Sequence, residues 1–187
     1  MKASLHASAR LRILAISVIA SCLFAFAEVA IGAPPHDACD LPESLEHEIA
    51  SKYPGAKLVR LRDLDKDDSA LCQKEHGSAC PGLAKVDFYG DGRPTLALVL
   101  IEQVGASKKA ELVVAHQIAG NWRTATLDSA PSSWPVVWVQ PPGEYRDVYG
   151  EKKIRATRPV IVFCGYDSWA IVYTWTGSAV AKVWIRD

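Results

Sequence analysis

Charge of one sign is what this chain lacks: 21 lysines and arginines are balanced by 21 aspartates and glutamates. Without a basic excess there is no electrostatic footprint for nucleic acid or for an anionic membrane surface. No internal repeat of the length that builds propellers or solenoids is visible along the chain. Glycine-flanked serine elbows are missing as well. Ser168 lies close to Gly165, but no motif places a histidine near it, so no serine-hydrolase pattern emerges.

What is present begins with a basic start (Lys2, Arg10, Arg12) followed by an apolar run from Ile13, the layout of a secretory signal over residues 1–33. Ala25-Phe26-Ala27 fits the small-x-small cleavage pattern, and a cut after Ala33 is the other candidate. Ile19-Ala20-Ser21-Cys22 is a loose lipobox, so a lipoprotein anchored through Cys22 is the minor reading, and a retained anchor a further one. Residues 34–187 then form a single exported domain, periplasmic or secreted, with no stable membrane span after processing. Four cysteines remain in it, Cys39, Cys72, Cys80 and Cys164. An even number in an oxidising compartment points to two disulfides, and among the three pairings Cys72–Cys80 and Cys39–Cys164 are favoured.

The central sequence feature is a hairpin. Two apolar runs flank Tyr89-Gly90-Asp91-Gly92, and the second, Leu96 to Ile101, is apolar at every position, as in a strand covered on both faces. Before it, Asp40 to Tyr53 reads as a helix, with Leu41, Leu45, Ile49 and Tyr53 forming one apolar stripe and Pro54-Gly55 as its stop. Residues 64–82 are polar and read as one long, disulfide-clipped loop. Strands follow over 110–118, 122–127, 160–164, 169–174 and 179–185. The proline-bounded run 134–139 reads as an edge strand or extended loop. The fold class expected is α+β: an N-terminal helix packed on a mostly antiparallel, twisted meander sheet of about seven to nine strands.

Asp87-Phe-Tyr-Gly-Asp91-Gly-Arg-Pro-Thr95 and the strand after it, residues 87–101, resemble one FG-GAP or VCBS-type Asp-rich element. That resemblance implies calcium held at Asp87, Tyr89, Asp91 and Thr95. Only Asp87 and Asp91 are carboxylates, and the same residues also describe a purely structural turn. A second acidic stretch, Asp63-Leu-Asp65-Lys-Asp67-Asp68, opens like a calcium loop without completing one. Asp63, Asp65, Asp87 and Asp91 are thus the candidate calcium ligands, with a solvated acidic loop as the alternative. Cys72, His76 and Cys80 at equal spacing would suit zinc if reduced, but export favours disulfides. Over residues 41–62, helix, Tyr-Pro-Gly stop and strand are similar to the start of small exported PepSY-like and inhibitor-like domains.

Aromatic residues supply the remaining signal. Most of the six tryptophans belong in a core of strands. Trp134, Trp138, Tyr145 and Tyr149 lie among prolines and are the candidate binding surface. The function expected from these features is a non-enzymatic binding protein of the cell envelope with a protein or glycan partner, an inhibitor-like role included. A small exported hydrolase or calcium-dependent enzyme built on the loop carboxylates is the alternative.

Overall fold

The computed structural model describes residues 38–131, 134–166 and 168–186. The expected signal segment, its cleavage sites and Cys22 lie outside the described residues. Helix α1 (Glu43–Lys52) and α2 (Lys66–His76) precede most of the strands, with β1 (Lys57–Leu58) and a short 3-10 turn, Leu61–Asp63, between them. Strands β2 (Leu83–Val86), β3 (Thr95–Val104), β4 (Ser107–Ile118) and β5 (Asn121–Pro131) follow. Next come β6 (Val136–Gln140), β7 (Gly143–Arg146), β8 (Lys153–Ala156), β9 (Val160–Gly165), β10 (Trp169–Trp175) and β11 (Val180–Arg186).

The strands form three antiparallel groups: a sheet ordered β1-β3-β4-β5 with β2 also on β3, a sheet ordered β11-β10-β9-β6, and a β7-β8 ribbon. The expected hairpin exists, with Leu83 opposite Leu98 and Val86 opposite Thr95. Its connection is longer than a two-residue Asp-Gly turn. The β3–β4 and β4–β5 links are the two-residue ones, between the paired Val104 and Ser107 and the paired Ile118 and Asn121; in the second, Ala119 (φ 49°) and Gly120 (φ 81°) both take positive φ, as a twist-matched hairpin turn requires.

Strand β3 explains its own composition. Leu96, Leu98 and Leu100 bury with Leu45 and Ile49 of α1 and with Val113 and Ala115 of β4. Ala97, Val99 and Ile101, on the other face, join Ile161, Phe163, Ile171 and Tyr173 of the second sheet. Alternate side chains therefore enter two different cores, and a polar residue anywhere along 96–101 would be buried without a partner. The back of the second sheet, Val160, Val162, Val172 and Val183, is covered by Ala156, Ile154 and Tyr145 of the ribbon. β1 and β2 share one edge of β3, and they meet closely: a Cβ on Gly82 would lie 2.4 Å from the Val59 carbonyl oxygen. Only glycine allows that approach.

A polar contact ties the two sheets together. Asp128 of β5 accepts hydrogen bonds from the Tyr173 hydroxyl of β10 (2.5 Å) and the Lys182 ammonium of β11 (2.6 Å). Burial alone would raise the Asp128 pKa, but the Lys182 and Tyr173 donors outweigh it and hold the carboxyl below its ordinary value.

Three expectations need correction. The disulfide joins Cys39 to Cys80, whereas Cys72 and Cys164 are buried thiols. Cys72 lies on α2 in the main core and Cys164 is paired within β9 to Val136 and Ala170, so the favoured pairings are not made. Residues 66–76 of the expected loop are helix α2. Its start is fixed by Asp65, which accepts from the Asp67 and Asp68 N–H groups, an N-cap satisfying donors that a first turn leaves open. Finally, the strands do not form one continuous meander. They divide into two: β2-β3-β4-β5 in one sheet, and β9-β10-β11 with β6 at its edge in the second.

Candidate functional site

The Asp-rich loop spends its carboxylates on its own backbone. Asp87 accepts from Gly90 N (2.8 Å) and Gly92 N (3.2 Å), and Asp91 from Arg93 N (3.0 Å). Gly90 has φ 69°, and a Cβ there would meet the Arg158 guanidinium, which donates to the Tyr89 carbonyl at 2.7 Å. Asp63 accepts from Arg60 N (2.8 Å), and Asp65 caps α2. Each of the four candidate calcium ligands thus already has backbone N–H donors on it. Among the described residues no three His, Cys, Asp or Glu side chains converge on a common point where an ion could sit.

One linear constellation was not anticipated. Asp91 Oδ2 lies 3.0 Å from His116 Nε2, and His116 Nδ1 lies 3.2 Å from Thr95 Oγ1. Burial pushes the Asp91 pKa up, but the Arg93 N–H and the His116 side chain outweigh it and lower the carboxyl overall. Carboxylate, imidazole and hydroxyl stand in the order of a catalytic relay. Yet Thr95 is 0% exposed, and the Tyr89 ring covers His116 with centroids 4.7 Å apart. A nucleophile with no access to substrate does no chemistry, so the relay fastens the hairpin loop to β4.

The four candidate aromatic residues separate. Trp138 is half-buried on β6, its ring 5.0 Å from that of His76. Tyr145 is half-buried against the second sheet and donates its hydroxyl to the Pro141 carbonyl. Both rings are half-buried in these contacts. Trp134 is half-buried with the Lys108 ammonium 4.4 Å above its ring. Tyr149 alone among them is strongly exposed, at 73%.

A second exposed aromatic residue, Trp184 on β11, is 44% exposed. Tyr149 and Trp184 line a 410 Å³ cavity together with Asp147, Val148, Lys152, Lys182 and Val183, a volume inside the range of about 300–1,000 Å³ typical of ligand sites. The turn between β7 and β8 is closed by Asp147 N donating to the Lys152 carbonyl (2.9 Å) and is held on β11 by Val148 N donating to the Trp184 carbonyl (3.1 Å). Trp184 ends an edge-to-face row: Phe163 on Trp169 at 4.8 Å, and Trp169 on Trp184 at 6.2 Å. Gly165 makes room for this row, since a Cβ there would lie 2.7 Å from the Trp169 indole nitrogen. Asp147 Oδ1 is buried and has no hydrogen-bond partner among the described residues. A buried carboxylate oxygen left in that state is costly, and a donor arriving from outside relieves it.

The strand β11 pattern could have revealed Trp184. Lys182, Trp184 and Arg186 alternate with the buried Val183, which places the tryptophan on the charged face. Nothing local marks Asp147, whose role follows from the turn it closes.

Fold and site together define an α+β protein of stacked antiparallel sheets bearing an aromatic-lined surface cavity. Comparison with protein-family models, curated proteins and solved structures finds no match. The disulfide is compatible with an exported protein, and among the described residues no helix is long and apolar enough to cross a membrane.

Proposed function

We propose that this chain is an exported, non-enzymatic binding protein of the cell envelope that holds a glycan partner at the Tyr149–Trp184 cavity. The observation carrying this reading is one cavity lined by the exposed residues Tyr149 and Trp184 and by Asp147, whose buried Oδ1 has no hydrogen-bond partner among the described residues. Aromatic faces stack on the apolar faces of sugar rings, and a carboxylate accepts from their hydroxyls, so one cavity offers both contacts a saccharide needs. The edge-to-face contact of Trp169 with Trp184 reduces the ordering cost of binding. A polypeptide partner would use the same aromatic anchors but would not require the Asp147 acceptor.

The test is a screen of the mature protein against immobilised envelope glycans and envelope proteins, repeated with Tyr149→Ala, Trp184→Ala and Asp147→Asn. Glycan retention that falls at least tenfold in all three variants is the expected result. Retention of every captured partner unchanged by Tyr149→Ala and Trp184→Ala would refute the proposal. Capture of a protein that ignores Asp147→Asn would move the reading to a protein partner.

A further inference from the structure

A second cavity, independent of the first, carries a different chemistry. It has a volume of about 580 Å³ and lies between α1, β1 and the ends of β3 and β4. Four cations line it, Lys57, Arg60, Arg62 and Lys108, against two carboxylates, Glu46 and Asp63. One of those carboxylates is committed: Asp63 accepts from the Arg60 backbone N–H at 2.8 Å. In a chain whose charges balance 21 to 21, this is a local excess of positive charge around a concave surface, where field lines concentrate.

The way those cations are held matters more than their number. Lys108 is fixed by the Trp134 π-face, 4.4 Å from its ammonium. A ring face positions an ammonium without neutralising it, so the full charge remains for an incoming anion. Lys57 and Arg62 are exposed and have no ion-pair partner among the described residues. The lining also includes apolar side chains, Ile49 of α1, Leu58 of β1, Leu100 of β3 and Trp134. A fully hydrated inorganic anion gains nothing from such side chains, and a neutral apolar molecule gains nothing from the cations.

We infer that the cavity between α1 and the β1–β3 edge binds a small organic anion, a carboxylate or phosphate headgroup on an apolar body, with Lys57, Arg62 and Lys108 on the headgroup and the Ile49, Leu58 and Trp134 side chains on the body. Arginine and lysine both serve carboxylate and phosphate, with the arginine fork adding geometric fit. The site stands apart from the Tyr149–Trp184 cavity and does not depend on it, since the two share no lining residue.

Titration calorimetry on the mature protein tests this with four probes: octanoate, octyl phosphate, 1-octanol and acetate. Octanoate or octyl phosphate is expected to bind at least tenfold tighter than octanol and acetate, and to weaken as salt is raised. The headgroup that binds tighter identifies the preferred anion. Lys57→Ala/Arg62→Ala, two exposed positions whose replacement leaves the core intact, should lose roughly tenfold, the effect of two half-exposed charge contacts. Its melting temperature serves as the folding control, and Trp134→Phe, which keeps a ring under Lys108, should bind nearly as the wild type. Octanol matching octanoate would reduce the cavity to a greasy cleft, and acetate matching octanoate would reduce it to loose surface charge. Either result, absent binding of both amphipathic anions, or unchanged affinity in the double variant overturns the inference.

Discussion

Reducing the Cys39–Cys80 bridge should cost this protein a large share of its stability. The bridge spans a sequence separation of 41 residues, and it ties the segment entering α1 to the segment entering β2. In the chain-entropy model a closed loop of that length restricts the unfolded ensemble by about 4 kcal/mol. Domains of ordinary stability have about 5–15 kcal/mol in total, so the loss would lower the melting temperature by roughly 8–16 °C. Reversible urea unfolding with and without reductant measures it directly. Cys72→Ala/Cys164→Ala should respond to reductant as the wild type does, because neither thiol belongs to the bridge. Peptide mapping after alkylation of the unfolded, unreduced protein gives an independent readout: Cys72 and Cys164 should carry the label while Cys39 and Cys80 stay linked. Loss of less than about 1 kcal/mol on reduction, or a label on Cys39 or Cys80, would refute the reasoning.

Five further outcomes are expected. Tyr173→Phe removes the hydroxyl that reaches from β10 to Asp128 and should cost about 1.5–3 kcal/mol in urea unfolding, the value of a bond to a charged acceptor. Because the folded Asp128 pKa is depressed, its contribution is present above the unfolded carboxyl value of about 3.9 and is lost as pH falls through the folded value. Asp128→Asn should therefore flatten the acid limb of the stability curve, and an unchanged limb would contradict the assignment. Asp87→Ala, which opens two loop N–H groups, should destabilise by about 1–2 kcal/mol. On the same account calcium should leave the wild-type melting temperature where a chelator leaves it, and a calcium-dependent rise would restore the metal reading. Ala119→Asn should raise stability by about 0.5–1 kcal/mol, since asparagine tolerates the positive φ that alanine is forced to adopt; a fall would mean the turn is not of this type.

The sequence made some of this legible because local chemistry fixed it. The unbroken apolar run from Leu96 to Ile101 suits a strand buried on both faces, and Asp91-Gly92 marks a chain reversal. Pro135 and Pro141 correctly pushed β6 to an edge, where it pairs with β9 alone. Helix α2 was missed because Leu71 and Cys72 are its only large apolar side chains of note, so the periodic signal was weak. Its cap and terminal charges were present at Asp65, Asp67, Asp68 and Lys74, but alternating carboxylates also open a calcium loop. The split into two sheets depends on which strands meet across long sequence separations. Alternation along each strand is the same in either arrangement. Disulfide pairing was undetermined for the same reason, being a tertiary fact. At the candidate site Tyr149 was visible as an exposed ring among turn residues, whereas Asp147 acquires its buried oxygen only when β11 closes over the turn.

The proposed saccharide platform is the pair of residues Trp184 and Tyr149. Its most direct measurement is the indole N–H spectrum of ¹⁵N-labelled mature protein titrated with fragments of envelope glycan. The Trp184 resonance should shift with the glycan while Trp122, whose indole donates to Ser44 of α1, stays still, and Asp147→Asn should suppress the shift. A Trp184 resonance that does not move with any fragment that binds would contradict the proposal.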